Sequence, residues 1–379
     1  MKFVLINKED MERICFLGYS EPDGQSFGNG VVRVIYNQAR ILRKRGYEVY
    51  FYHLFSSEEY KHLNTFLREN NIDLAFWHMT TLKVKRHIHL VCPLVCLWHS
   101  TPFFSYENYA EVFCKKYHVI SWIRKILCCK WVNLCMIKVH SIYNALLFLY
   151  VTACSDKMVL LSKHFIPKFF AAKIYPQKVT SISNMLTVNA NAVDMDLSKK
   201  KKEVLFVGRL DNKFKRVDLL LRIWAKVEKC HDDWILNICG DGEDRGMLKN
   251  LNRELGLQHV YFKGFVNPDE YYKTASIFCM TSAYEGWGLV IEEAAAFGCV
   301  PIAFDSFEAV SDLISNGENG WLVSPFDVTA YANVVCELIE NEGLRMKLAE
   351  KARLTVNRFN PEKIMDEWES LFKDVENKK

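Results

Sequence analysis

A chain of 379 residues, 50% hydrophobic and 25% charged, carries enough apolar material for two domains of ordinary size, which excludes a disordered or fibrous protein. A formal net charge of +4 gives no case for nucleic acid as a main partner. The 13 cysteines are odd in number, scattered and without paired C-x2-C spacing, so they read as reduced thiols packed as small hydrophobes in a cytoplasmic compartment, with no metal site.

Met1–Ile6 runs straight into Asn7-Lys8-Glu9-Asp10 and is too short an apolar run for a signal peptide. Arg13–Ser20 reads as a first strand. A loop over residues 21–30 leads to a helix over Val31–Lys44, closed by Gly46, and Tyr47–His53 is the next strand. Gly28 and Gly30 before the helix suit an anion or a sugar hydroxyl at its start, but Arg33 stands where a dinucleotide fingerprint has its third glycine. A helix over Glu58–Asn70 precedes strands at Ile72–Trp77 and Leu90–Trp98. The second is apolar almost throughout, as in a parallel sheet covered on both faces. His99 follows it directly, where ligands bind in open parallel sheets.

Val112–Ser155 holds no acidic residue. Lys115, Lys116, Arg124, Lys125, Lys130 and Lys138 alternate there with Trp122, Ile123, Ile126, Leu127, Trp131, Val132 and Leu134, the pattern of a basic interfacial helix on an anionic membrane surface. A helix packed on its own domain carries the same pattern. Ala145–Cys154, the most apolar stretch, is too short to cross a bilayer, so no spanning helix is expected. Strands at Lys157–Ser162 and Val179–Ser183 close the first half. The polar run to Glu203, with Lys199–Lys202, reads as a linker.

The second half alternates strand and helix throughout, from Val204–Val207 to Gly320–Val323, followed by terminal helices. The fold class is therefore α/β, with two Rossmann-like doubly wound domains facing a cleft. The expected division is residues 1–190, a linker at 191–202, a second domain at 203–358 and a last helix at 359–379 that crosses back.

Ser282–Glu293 carries the strongest motif. Gly286 and Gly288 let the backbone turn into a helix that starts at Leu289 and stops at Gly298. Its free amides and dipole favour an anion. Glu285 before the helix and Glu293 inside it are separated by roughly 12 Å of helix, about the distance from the sugar to the ribose of a nucleotide sugar. Gly208-Arg209-Leu210 follows one strand, with Lys215 nearby; the two cations can neutralise a leaving diphosphate without a metal. Gly240-Asp241-Gly242 and Gly264–Asn267 follow the next two strands.

These elements, together with Glu293-Ala294, Gly298-Cys299-Val300-Pro301, Asp305 and Asn319–Val323, resemble in order the donor-binding domain of family 4 glycosyltransferases, which have the GT-B architecture. The resemblance covers almost all of Val204–Pro325 and thins out in the first half, at Gly28–Val34, Gly46–Val49, His99 and Ser162. It implies a retaining enzyme that needs no cofactor and no divalent metal. Arg209 and Lys215 would bind the donor diphosphate, with Gly30, Gly208 and Gly240 near it. The backbone of Gly286, Trp287, Gly288 and Leu289 would contact phosphate and sugar. Glu293 would hold the ribose hydroxyls, Val266 would lie by the base, and Glu285 and His99 would face the transferred sugar. Departures are Arg216 where relatives carry glycine, Met185 where proline is frequent, and Ser306-Phe307 after Asp305. The expected donor is a UDP-hexose, galactose or glucose. The expected acceptor is a lipid-linked glycan or membrane glycolipid at the cytoplasmic membrane face. A sugar-nucleotide hydrolase or epimerase on the same fold, and a non-catalytic nucleotide-sugar binding protein, remain open.

Overall fold

The computed structural model describes residues 12–22, 30–54, 57–80, 89–102, 120, 122–123, 127–188 and 196–377. Gly28, Lys115, Lys116, Arg124, Lys125, Ile126, the start at Met1–Ile6 and residues 191–195 of the expected linker lie outside them. The described residues group into two compact units. One lies within Met1–Glu21, Leu42–Ser181 and Ser370–Lys379, the other within Pro22–Ile41 and Ile182–Glu369. The chain leaves the first unit at Ser181, ahead of the linker expected at 191–202.

The first unit is built on a six-stranded sheet: β1 Arg13–Leu17, β2 Glu48–Tyr52, β3 Leu74–Met79, β4 Leu94–Trp98, β5 Lys157–Leu160 and β6 Val179–Ser181. Every described pairing is parallel, in the order β2-β1-β3-β4-β5-β6. β3 and β4 are buried along their whole length, as a doubly covered parallel sheet requires. Helix α1, Gly30–Lys44, begins one residue before the expected start and is stopped by Gly46 at φ +100°, and α2 spans Ser57–Glu69.

Helix α3, Lys130–Cys154, corrects two expectations. At 25 residues and a mean hydropathy of 1.5 it is, among the described residues, long and apolar enough to cross a membrane, although Lys138, His140 and Asn144 interrupt the apolar run in the sequence. Nor is its outer face the basic one. Trp131, Leu134, Val139, Ile142, Leu146 and Leu149 are exposed at helical spacing, Trp131 at 76%. Phe148, Val151 and Thr152 face inward. Helix α4 spans Ile166–Ala171.

The second unit holds β7 Lys201–Val207, β8 Ile235–Cys239, β9 Val260–Gly264, β10 Ala275–Met280, β11 Val300–Phe304 and β12 Trp321–Val323, parallel and ordered β12-β11-β10-β7-β8-β9. Its helices are α5 Asn212–Lys215, α6 Val217–Val227, α7 Arg245–Glu254, α8 Asp269–Thr274, α9 Leu289–Ala296, α10 Val310–Leu313, α11 Val328–Glu340, α12 Glu342–Thr355 and α13 Pro361–Glu376, the last passing into the first unit at Ser370. Phe206, Trp224, Ile238, Phe304 and Tyr331 are among the fully buried side chains of one core cluster. Each contributes about 1.5–3 kcal/mol of apolar burial.

The lysine run is not the solvated linker its charge suggests. β7 begins at Lys201, and half-buried Lys200 donates to the Tyr272 carbonyl at 2.7 Å and contacts Cys299 Sγ at 3.4 Å. Burial holds its pKa below the usual lysine range.

Strand order reverses at β7, which lies between β8 and β10. Loops leaving the carboxyl ends of β7 and β10 part there, and such a switch point opens a crevice. Gly208 leaves one of those ends and Ser282–Gly288 the other.

Candidate functional site

The carboxyl ends of β7, β8 and β9 are drawn together backbone on backbone. Gly208 N–H donates to the Cys239 carbonyl at 3.0 Å, and Gly240 N–H to the Gly264 carbonyl at 2.7 Å. Gly240 has φ +151°, and a Cβ there would lie 1.8 Å from the Gly208 carbonyl oxygen. The glycines that the sequence places after successive strands are thus steric necessities of one packed strand-end cluster.

Lys215 closes α5 beside this cluster, its Cε 3.6 Å from where a Gly208 Cβ would stand. Two contacts tie its segment to the loop after β10: Ala283 N–H donates to the Phe214 carbonyl at 2.7 Å, and Thr281 Oγ1 to the Lys215 carbonyl at 3.0 Å. Lys215 Nζ thereby forms an ion pair with Glu285 Oε1, one residue before Gly286. Both side chains are largely buried. The sequence joins these groups only through two distant motifs; the fold makes them one site. Arg209 is 70% exposed, with its guanidinium 3.5 Å from Asp211. Arg216, where relatives carry glycine, has φ +48°. The left-handed conformation explains the usual glycine, and an ion pair with Asp218 at 3.0 Å and the Phe326 ring at 5.5 Å hold the arginine in place.

Gly288 caps α9 at φ +111°, and α9 begins at Leu289 as expected. The first residue of α1 lies against this opening: a Cβ on Gly30 would meet Leu289 Cδ1 at 2.8 Å. Two helix starts therefore present free amides at one place. Ser282 Oγ, buried just before the turn, has no hydrogen-bond partner among the described residues. Trp287 is committed to the interior: its indole donates to Glu292 at 2.7 Å and its ring meets Phe359 edge-on at 5.6 Å. Of Trp287, only the backbone is left for a ligand. Burial pushes the Glu292 carboxyl well above the usual range.

Glu293 is 1% exposed. Its Oε1 accepts from Arg33 Nη1 at 2.7 Å and Thr187 Oγ1 at 2.6 Å, and its Oε2 from the Tyr272 hydroxyl at 3.1 Å. Burial, then the neighbouring carboxylate, raises the Tyr272 pKa well above its usual value. These three partners were not legible in spacing; Arg33 stood out only as a missing glycine. Val266 is half-buried in the loop after β9, where Phe265 is the more exposed side chain.

In the other unit His99 follows β4, its N–H bonded to the Met79 carbonyl at 2.9 Å. It is 8% exposed, and its Nε2 lies 2.9 Å from His78 Nδ1. Burial lowers the His99 pKa to about 3, and burial with His99 nearby lowers that of His78, so both rings are neutral at pH 7.

The paired parallel sheets and the strand-end site define the GT-B glycosyltransferase fold. Residues 190–355 match the family model for glycosyl transferases group 1. An uncharacterized glycosyltransferase of Haemophilus influenzae is 34% identical over 233 residues, 59% of this chain and 63% of that protein. The chain thus spans under two thirds of that relative. The amylovoran biosynthesis glycosyltransferase AmsD of Erwinia amylovora is 27% identical over 363 residues, 92% of this chain and 97% of AmsD. The crystal structure of HepE from Anabaena in complex with UDP and glucose superposes with a TM-score of 0.69 at 18% identity, covering 96% of this chain and all of HepE. Together these findings support a GT-B glycosyltransferase.

Proposed function

We propose that the protein is a retaining glycosyltransferase that moves a hexose from UDP-galactose or UDP-glucose to a lipid-linked glycan or membrane glycolipid in polysaccharide or glycolipid synthesis. The observation that carries the reading is the Lys215–Glu285 pair at the glycine-bracketed opening of α9. An anion there meets helix amides and a fixed cation at once. Arg209 and Lys215 stabilise the leaving diphosphate in place of a divalent metal, and Gly208, Gly240 and the Gly286–Leu289 backbone line its path. Glu293 takes the ribose, Val266 the base, and Glu285 and His99 the transferred sugar.

Sugar transfer passes through an oxocarbenium-like state, so the largest contribution expected of the protein is preformed charge at the departing phosphate. In this reading the leaving phosphate accepts the acceptor's proton and returns it on the same face. A covalent sugar adduct on Glu285 would exclude that course. The UDP-glucose preference draws on the HepE complex, and the role in polysaccharide assembly on AmsD.

For the acceptor, the exposed apolar stripe of α3 is read as the face that meets a lipid surface, with Lys130 and Lys138 toward anionic headgroups, at the cytoplasmic side of the membrane. Two experiments test this function. A thermal-shift screen against UDP, GDP and ADP sugars should give a stabilisation with the UDP series alone. Mass analysis of UDP-glucose and UDP-galactose reactions should show product only with a lipid-linked acceptor; free hexose released without acceptor would point to the hydrolase instead.

A further inference from the structure

Glu293 is the carboxylate that the proposed function assigns to the ribose, yet most of its hydrogen-bonding capacity is already taken. A carboxylate offers about four lone-pair positions. Arg33 and Thr187 fill both on Oε1, and Tyr272 fills one on Oε2. The side chain is almost completely buried, so the remaining position on Oε2 is not reached from bulk water. Arg33 cannot easily withdraw. It lies one helical turn beyond Gly30, which packs on Leu289, and Glu293 lies one turn beyond Leu289. The two helices thus meet in register. The Arg33 Nε is itself buried, and the side chain supplies the positive charge that a buried carboxylate requires.

We propose that Arg33 is a positioning residue that pins Glu293 through Oε1, so that ribose recognition at this carboxylate runs through Oε2 alone and reads one hydroxyl, not both. The inference rests on the nucleotide-sugar reading of the site. It assigns a function to a first-helix side chain that never touches the donor: fixing which carboxylate oxygen is presented, and in what orientation. A clasp on both the 2′ and 3′ hydroxyls would need Arg33 or Thr187 to leave Oε1.

The test uses calorimetric titration of the full chain with UDP, 2′-deoxy-UDP and 3′-deoxy-UDP. Losing a hydrogen bond to a charged group weakens binding roughly 10- to 100-fold. The wild type should show that loss with one deoxy analogue and under about threefold with the other. Arg33→Lys should keep this asymmetry. Arg33→Met should weaken UDP and bring the two analogues to equal affinity, because Oε1 is then free for the second hydroxyl. A purely structural role would lower the melting temperature and leave the ratio between analogues untouched. Equal losses in the wild type, or an unchanged asymmetry in Arg33→Met, overturn the proposal while leaving the donor reading intact. Absence of UDP binding by the wild type overturns both. Should Arg33→Met fail to fold, the wild-type comparison still decides.

Discussion

Gly240 is the position where one methyl group should do most damage. Its φ of +151° is one that other residues rarely adopt, and an added Cβ would stand 1.8 Å from the Gly208 carbonyl oxygen. Ordinary van der Waals contact begins near 3.4 Å, so the two strand ends must part by about 1.6 Å (3.4 minus 1.8). That movement strains the bond from Gly208 N–H to Cys239 and the one from Gly240 N–H to Gly264. Two weakened hydrogen bonds cost about 1 kcal/mol each, and the strained backbone about 1–2 kcal/mol more. A Gly240→Ala variant should therefore lose about 3 kcal/mol, or roughly 6–12 °C in the melting temperature of a unit this size. Gly246→Ala is the control: the glycine lies in α7 with nothing near its Cβ position, and alanine there should be neutral or stabilising by up to about 1 kcal/mol. Calorimetric melting of the two variants, with and without UDP, checks both. A Gly240→Ala protein that melts within about 2 °C of wild type and responds equally to UDP would refute the packed strand-end account.

The buried histidines predict a pH dependence. His99 has a folded pKa of about 3 against an ordinary 6.5, so as pH falls below 6.5 the unfolded chain takes up the proton first. The contribution is complete above pH 6.5 and shrinks toward pH 3, and by pH 5 the loss is about 2 kcal/mol. Urea denaturation at pH 7.5 and pH 5 should show a loss about that much smaller in His99→Asn; an identical pH slope would remove the neutral-ring assignment. Glu292, protonated in the core beside Trp287, should tolerate Glu292→Gln at a cost under about 1 kcal/mol, and a denaturation midpoint indicating more than about 2 kcal/mol would contradict a neutral acid. Sedimentation with anionic vesicles should capture the wild type, and a Trp131→Glu, Ile142→Glu, Leu146→Glu variant should stay in the supernatant with its melting temperature unchanged, since all three side chains are exposed. Equal capture of both proteins would dismiss the stripe as a lipid contact.

Much of the second unit was legible because its signals are local. Strand alternation, the glycines after β7, β8 and β9, and the turn at Gly286–Leu289 are fixed by backbone geometry within a few residues. The α9 boundaries followed from Gly288 and Gly298, both at positive φ. What spacing could not give was tertiary. Nothing in the sequence joins Lys215 to Glu285, or gathers Arg33, Thr187 and Tyr272 on Glu293, because those contacts exist only after the sheet has ordered its loops. The lysine run at 199–202 misled for a related reason: charge signals solvent, but a long side chain can bury its stem and find a carbonyl, as Lys200 does. Helix α3 was underestimated because polar residues at single positions break an apolar run while leaving the average hydropathy high.

Isothermal titration of UDP into wild type and Lys215→Met addresses the diphosphate site most directly. Lys215 lies at the glycine turn with Glu285 as its partner, so removing its charge should weaken UDP roughly 10- to 100-fold and leave the enzyme folded. UDP binding of equal strength to both proteins would mean that the nucleotide, if it binds, binds elsewhere.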